Sequence, residues 1–452
     1  MRLAVGTYYV RGLCSRMART KLRNVITSIR PPLDILALQE HKIRDRNIDF
    51  LTSAIWPNAS MFNLTAEDGL QADPANIYTQ LKLEEARTQL AAWEADKARW
   101  IQSLLDRKWE DEEERVNLQK DFSSEELHVA AKLLGRNKSP GPDGVPLEFF
   151  LALWETVSPL LLRATAEGLQ QGQILPFFNE GVIILLQKDG DQTMIQNKRP
   201  ITLPNVVYKI WAKALQLRLT PVLQRLISWE QNAFISGRQL HTTVLLCNEV
   251  VYEAKKNNID SVLLKIDFKK AFDTLRWDFL YAAMEKMEFG HFFISLVKTL
   301  NSTASSAISI NNACSSPFQI SRPVRQGCPL SPLLFTIAIQ VLTDTINGWI
   351  QMQMLKGIEL TSINTHYCQG YFADDAHFLL AADKQNLLNA KSLLQTFGQA
   401  SGLTVQWAKS KARWISSIIP RPLWTGDLDW VWSTDQDADK FLGFQFSDGL
   451  DA

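Results

Sequence analysis

Two short acidic runs carry residues of a type and spacing that suit phosphoryl chemistry. In Tyr371-Phe372-Ala373-Asp374-Asp375 two aspartates stand side by side, and the stretch from Gln369 to Ala382 is largely apolar around them. In Lys265-Ile266-Asp267-Phe268-Lys269-Lys270-Ala271-Phe272-Asp273 an aspartate follows the apolar-rich run Val262 to Ile266. Carboxylates brought together from separate segments, with no Cys or His ligand, select hard oxygen-loving cations such as Mg2+. Two such ions about 4 Å apart can activate an attacking hydroxyl and neutralise a leaving oxygen during in-line phosphoryl transfer. A lone Asp-Asp pair is more often a solvated turn, so the reading rests on the combination of the two runs.

The elements that must position these acids follow from local pattern. The apolar residues flanking Asp374-Asp375 suggest two strands joined by a tight turn, which exposes the carboxylates without burying their charge. Adjacent residues in an extended segment face opposite ways, which favours Asp374 as the stronger ligand and leaves Asp375 the weaker or outer one. Val262 to Ile266 reads as a buried strand delivering Asp267 at its C-terminal end. Strand-like runs at Val182–Leu186, Val262–Ile266 and Tyr371–Ala373 alternate with helix-like segments at Val206–Leu226, Thr242–Lys256, Asp278–Met287, Pro332–Asn347 and Lys384–Gln399. This alternation predicts an α/β or α+β core. Ser123-Ser124-Glu125-Glu126 is a capping box opening a helix, and Ser139-Pro140-Gly141-Pro142-Asp143-Gly144 is a tight loop beyond it.

The chain has 452 residues, 46% of them hydrophobic, which is enough for two or three domains with buried cores. Lys+Arg and Asp+Glu are equal at 48 each, so overall charge lends nucleic-acid binding no support and any such surface must be local. Between Lys188 and Arg225 the cations Lys198, Arg199, Lys209, Lys213, Arg218 and Arg225 outnumber Asp189 and Asp191. That basic segment is expected to contact template or triphosphate. The five cysteines are scattered with no Cys-x-x-Cys pair, and the histidines lack zinc-ligand spacing. A reduced intracellular protein is expected, nuclear or cytoplasmic and not secreted, with no apolar run of membrane-spanning length.

From about Asn137 to Phe446 the chain resembles the reverse transcriptases of non-LTR (LINE-type) retrotransposons, particularly plant-like lineages. The blocks that carry the resemblance occur in family order. They are Asn137-Lys138-Ser139-Pro140-Gly141-Pro142-Asp143-Gly144, Val182 to Asp191 with Lys198-Arg199-Pro200-Ile201-Thr202-Leu203, and Gln231-Asn232-Ala233-Phe234-Ile235-Ser236-Gly237-Arg238. The Asp267 run, Val324-Arg325-Gln326-Gly327-Cys328-Pro329-Leu330-Ser331-Pro332-Leu333-Leu334-Phe335, and Phe372-Ala373-Asp374-Asp375 follow. The resemblance implies an α+β right-hand polymerase of fingers and ferredoxin-like palm over 123–452, with the thumb largely absent. It implies an RNA-directed DNA polymerase that uses two Mg2+ ions, with Mn2+ an alternative, an RNA template, a DNA primer and dNTPs.

It also implies residue roles. Asp267, Asp374 and Asp375, with Phe268 beside the first, form the metal-binding catalytic set. Lys188 and Arg199 hold the incoming triphosphate, as a fork-shaped guanidinium suits phosphate oxygens. Phe272 lies beneath the sugar and excludes a ribose 2′-hydroxyl. Gln326 and Gly327 meet the nascent pair and template, Arg238 and Gly443 contact template or primer, and Lys409 protonates pyrophosphate. Each has a plainer reading as surface charge or core packing.

The N-terminus, 1–68, resembles the opening of an apurinic-type endonuclease. Glu40 in Asp34-Ile35-Leu36-Ala37-Leu38-Gln39-Glu40 matches a metal ligand, but Tyr9 stands where the family has a catalytic Asn. The expectation is a truncated α/β fragment without nuclease activity. Residues 69–122 read as a solvated helical linker. Two other readings stay open, a catalytically inert remnant that at most binds nucleic acid and another palm-fold enzyme such as a nucleotide cyclase. Protein partners and membranes are not implied.

Overall fold

The computed structural model describes residues 5–9, 35–39, 112–188, 191, 194–311, 313–320, 325, 327–360, 365–416, 420–433, 440–441 and 444–445. The chain forms two compact units, Met1–Ala92 with Ser316–Phe318, and Trp93–Ser315 with Gln319–Ala452. In the first, strands β1 (Val5–Tyr9) and β2 (Ile35–Gln39) pair in parallel, with Val5 opposite Ile35 and Tyr9 opposite Gln39. Strand β2 falls within the Asp34-to-Glu40 run. Glu40 itself lies outside the described residues.

The second unit begins with helices α1 (Glu112–Leu118), α2 (Ser124–Leu133), α3 (Leu147–Ala152) and α4 (Trp154–Gln171). Strands β3 (Glu180–Gln187) and β4 (Lys198–Pro204) precede helices α5 (Val206–Leu226) and α6 (Leu240–Lys256) and strand β5 (Ser261–Asp267). Next come α7 (Ala271–Thr274), α8 (Trp277–Lys286), α9 (His291–Ser302), β6 (Ser305–Ile310), β7 (Ala313–Cys314), β8 (Phe318–Gln319) and α10 (Ser331–Gln351). Strands β9 (Ile358–Leu360), β10 (Thr365–Tyr367), β11 (Gln369–Phe372) and β12 (Asp375–Ala381), helix α11 (Lys384–Ser401), and strands β13 (Lys411–Ile415) and β14 (Val431–Trp432) follow. The expected capping box is present, since Ser123 Oγ accepts a hydrogen bond from the Glu126 N–H at 3.1 Å.

Two sheets organise this unit. One has the order β11-β12-β5-β13-β14, the other contains β4-β3-β6-β7. Side chains alternate across the first sheet, as the two-residue repeat of a strand requires. Leu264, Ile266, Phe378 and Leu380 enter the main core with residues of α8, α10 and α11, while Leu263, Leu379 and Ile415 join Cys247, Val250 and Ala254 of α6 in a smaller one. Burial on both faces explains why β5 reads as a nearly continuous apolar run. Each such side chain contributes about 1.5–3 kcal/mol on leaving water.

Two expectations need correction. Residues 112–122 are not a solvated linker: Leu118 and Phe122 are buried in the main core, and Gln119 Nε2 donates to Phe289 O at 2.7 Å. Helix α10 does have the length and composition to cross a membrane, with mean hydropathy 1.4, but 78% of that window is buried inside the protein. Its polar positions are satisfied there, as where Gln340 Nε2 donates to Asp344 Oδ1 and Ser228 Oγ, both at 2.7 Å. Strand β4, which is not among the expected strands, contains Pro200 and Pro204. It lies at one end of the strand order, where a missing N–H is tolerated.

Candidate catalytic site

The acids meet because of register. Strands β5 and β12 run antiparallel with Asp375 directly opposite Asp267, so both side chains leave the same face of the sheet. Strands β11 and β12 are joined through Ala373-Asp374, closed by the pairing of Phe372 with Asp375. Ala373 has φ 59°, the left-handed conformation that short hairpin turns demand and that costs a non-glycine residue. Asp374 is therefore in the turn rather than in an extended segment, and the argument that it and Asp375 must face apart does not apply. It is Asp375 that shares a face with Asp267.

Electrostatics tie the three together. Loss of hydration, then the neighbouring charges of Asp374 and Asp267, push Asp375 up to about 6, although its side chain keeps an exposed face. Asp267 is raised by loss of hydration and by Asp374, while the charges of Lys409 and Lys188 pull it the other way. Among the described residues no group of three or more His, Cys, Asp or Glu forms a ready-made metal cage. The donor chemistry still fits a hard cation, because Mg2+ is commonly held by one or two carboxylates completed by substrate phosphates and water. Phe268 can join such a set only through its main chain, since its side chain is buried and has no donor atom.

The backbone of Asp267 is clasped by the 404–410 segment. Its N–H donates to Ser410 Oγ at 3.1 Å, its carbonyl accepts from Gln406 N–H at 2.8 Å, and Lys269 N–H donates to Thr404 O at 2.8 Å. The clasp carries Lys409 close enough for its charge to act on Asp267. Lys188 N–H donates to Asn197 O at 2.9 Å, one pair beyond the β3–β4 ladder, and Arg199 is exposed on β4 opposite Leu186. The hairpin has its own support, which the sequence did not reveal. Tyr371 N–H donates to Glu230 O at 2.8 Å and its hydroxyl to Gln369 Oε1 at 2.6 Å, while Gln369 Nε2 donates to Thr343 O and Asn347 Oδ1 of α10. Isolated Gln and Asn in a sequence carry no signal of such a buried network.

Phe272 is half-buried, its ring 4.8 Å from Phe335 of α10. Gly327 has φ 107°, and a Cβ there would stand 2.5 Å from Thr202 O, so its close approach is to β4. Gln326 and Gly443 lie outside the described residues. Beside Gln326, Arg325 is buried, donates to the Asn179 and Ser305 carbonyls, and lies 4.9 Å from the Tyr208 ring centroid. The sequence marked it only as part of a motif.

The basic segment is largely structural. Arg218 is paired with Glu126 through two bonds of 2.6 and 2.7 Å, Arg225 with Glu114, and Lys209 Nζ donates to Ser139 O at 2.9 Å. Arg238, expected at template or primer, instead donates to the Ser228, Gln231, Ile227 and Gln224 carbonyls, closing the C-terminal end of α5. The unpaired carbonyls at a helix end are the physical reason a guanidinium settles there.

The chain is similar in sequence to known proteins. Residues 186–446 match the family described as reverse transcriptase (RNA-dependent DNA polymerase). The uncharacterized 149 kDa protein of transposon TX1 from Xenopus laevis is 32% identical over 299 residues, 66% of this chain and 22% of that protein. The retrovirus-related Pol polyprotein from the type-2 retrotransposable element R2DM of Drosophila melanogaster is 24% identical over 223 residues, 49% of this chain and 20% of its own length. That from the type-1 retrotransposable element R2 of Popillia japonica is 25% identical over 291 residues, 64% of this chain and 39% of the relative. The chain thus spans about a fifth of the length of the first two.

Proposed function

The chain belongs to the reverse transcriptase (RNA-dependent DNA polymerase) family, and on that premise we propose that it extends a DNA primer along an RNA template from dNTPs. The observation that carries this reading is the register of Asp375 opposite Asp267, with Asp374 in the adjoining turn and the charges of Lys188 and Lys409 acting on the same acids. Asp267, Asp374 and Asp375 would hold two divalent cations, Mg2+ or Mn2+, and such ions would supply activation of the primer 3′-hydroxyl and charge neutralisation at the leaving pyrophosphate. Lys188 and Arg199 bind the triphosphate from the β3–β4 side, Phe272 bounds the sugar, and Lys409 hands a proton to the departing pyrophosphate.

The finer assignments are also ours. The polymerase is of LINE type and plant-like lineage, and acts inside the cell. Residues 1–68 are an endonuclease-like fragment, a reading supported by the parallel β1–β2 pair, with Glu40 a vestigial ligand. The polymerase boundary lies at or before Glu112, because Leu118 and Phe122 belong to its core.

Primer extension decides the reading. Purified protein receives a primed poly-RNA template, Mg2+ and labelled dNTP, beside Asp267→Ala and Asp374→Ala variants. Extension by the natural sequence alone is expected. No extension above the variants would reassign the chain to an inert remnant.

A further inference from the structure

The loop from Ser228 to Arg238 carries an aromatic ring that the mechanism above does not use. Ala233 and Ile235 are buried, yet Phe234 between them is 43% exposed. Its φ is 64°, a conformation that a bulky L residue keeps only where its surroundings impose it. The surroundings do impose it. Asn232 N–H donates to Tyr371 O at 3.0 Å, Ala233 N–H to Gln231 Oε1 at 3.0 Å, and Arg238 N–H to Ile235 O at 3.2 Å. The Arg238 guanidinium holds the Ser228 and Gln231 carbonyls as well. The loop is therefore secured on both sides of Phe234, and on one side to the strand that leads into the carboxylate turn.

This backbone sets the Phe234 ring edge-to-face against Phe272, with centroids 6.4 Å apart and planes at 79°. Phe272 lies in turn 4.8 Å from Phe335, tilted by 35°. The three rings pass from exposed Phe234 through half-buried Phe272 to fully buried Phe335. A steric wall discriminates a single hydroxyl only if it does not yield. With Phe335 alone behind it, Phe272 could swing to another side-chain rotamer on its open side. Phe234 supplies the second ring contact on Phe272.

We propose that Phe234 is a positioning residue for sugar selection: its ring props Phe272, and rejection of ribonucleoside triphosphates needs both rings. This rests on the polymerase reading above.

The test compares kcat/KM for dNTP and the matching rNTP on a primed RNA template, using the full chain and its Phe234→Ala, Phe234→Gly and Phe234→Tyr variants. In Phe234→Ala the dNTP preference should fall about tenfold, the scale of one lost aromatic pair, mainly through faster rNTP use. Phe234→Gly relieves the backbone strain but should lose the preference equally, whereas Phe234→Tyr should restore it. An unchanged preference in the Ala and Gly variants, with unchanged melting, overturns the proposal. If the natural chain extends no primer, the polymerase reading fails, and the prop is judged separately by 19F NMR of 4-fluorophenylalanine at position 272. A shifted or narrowed signal in Phe234→Ala supports it, and an unaltered signal overturns it.

Discussion

The acids on the β5–β12 face and the cations between β3 and the 228–238 loop differ in how their charge is met. Asp267 and Asp375 share a face, and Asp374 disfavours ionisation of both. In the same unit, Arg218 and Arg225 are matched by acids, while Arg238 and, further along the chain, Arg325 are matched by carbonyls. Charge that the fold matches holds elements together, whereas like charge that the fold concentrates is held ready for a ligand. Residue type alone does not distinguish the two.

The strongest way to break this comparison is Asp267→Asn. Extension should fall about a thousandfold or more, as when a transition-state charge loses its stabiliser, while thermal stability holds. Retained activity would remove the acids from the chemistry. The next contrast pits two cations against each other. Arg238→Ala should destabilise the protein by about 1.5–3 kcal/mol in denaturant titration, the scale of lost charged hydrogen bonds. Lys188→Ala should leave stability within about 0.5 kcal/mol, as surface substitutions usually do, but raise KM for nucleotide. Reversal of the two patterns would exchange their roles.

A pH series sharpens the acid side. Because the folded state raises Asp375, its stabilising contribution is present at low pH and is lost as pH rises through about 6. The anion that a cation requires forms over the same interval. Mg2+ binding to the protein alone should therefore weaken as pH falls below about 6. Asp375→Asn should raise the metal-free melting temperature at neutral pH by roughly 2–4 °C, and a lowered value would contradict the origin of the shift. The smallest effect is expected from Arg225→Ala. Its partly exposed pair with Glu114 should be worth under about 1 kcal/mol by double-mutant cycle, and a larger coupling would mark that contact as a main anchor of α1.

Much of the scaffold was legible because its signals are local. Helix α5 spans the segment expected from its apolar pattern, Val206–Leu226, and β5 extends the expected Val262–Ile266 by a residue at each end. Strand β13 was not anticipated, because Lys411 and Arg413 interrupt its apolar positions and pairing with β5 and β14 makes it a strand. The clasp of Ser410 and Gln406 on Asp267, and the Gln369–Tyr371 network, were invisible for a similar reason. A polar side chain's partner can be more than a hundred residues away, as with Ser410 and Asp267.

The sequence by itself determined the carboxylates, their order and the elements that carry them, since turn chemistry and apolar period depend on neighbours along the chain. Tertiary structure alone decided that Asp375 rather than Asp374 stands across from Asp267, and that Arg218, Arg225 and Arg238 are bound within the fold. Strand register and the partner of a charge depend on what the chain brings together from a distance.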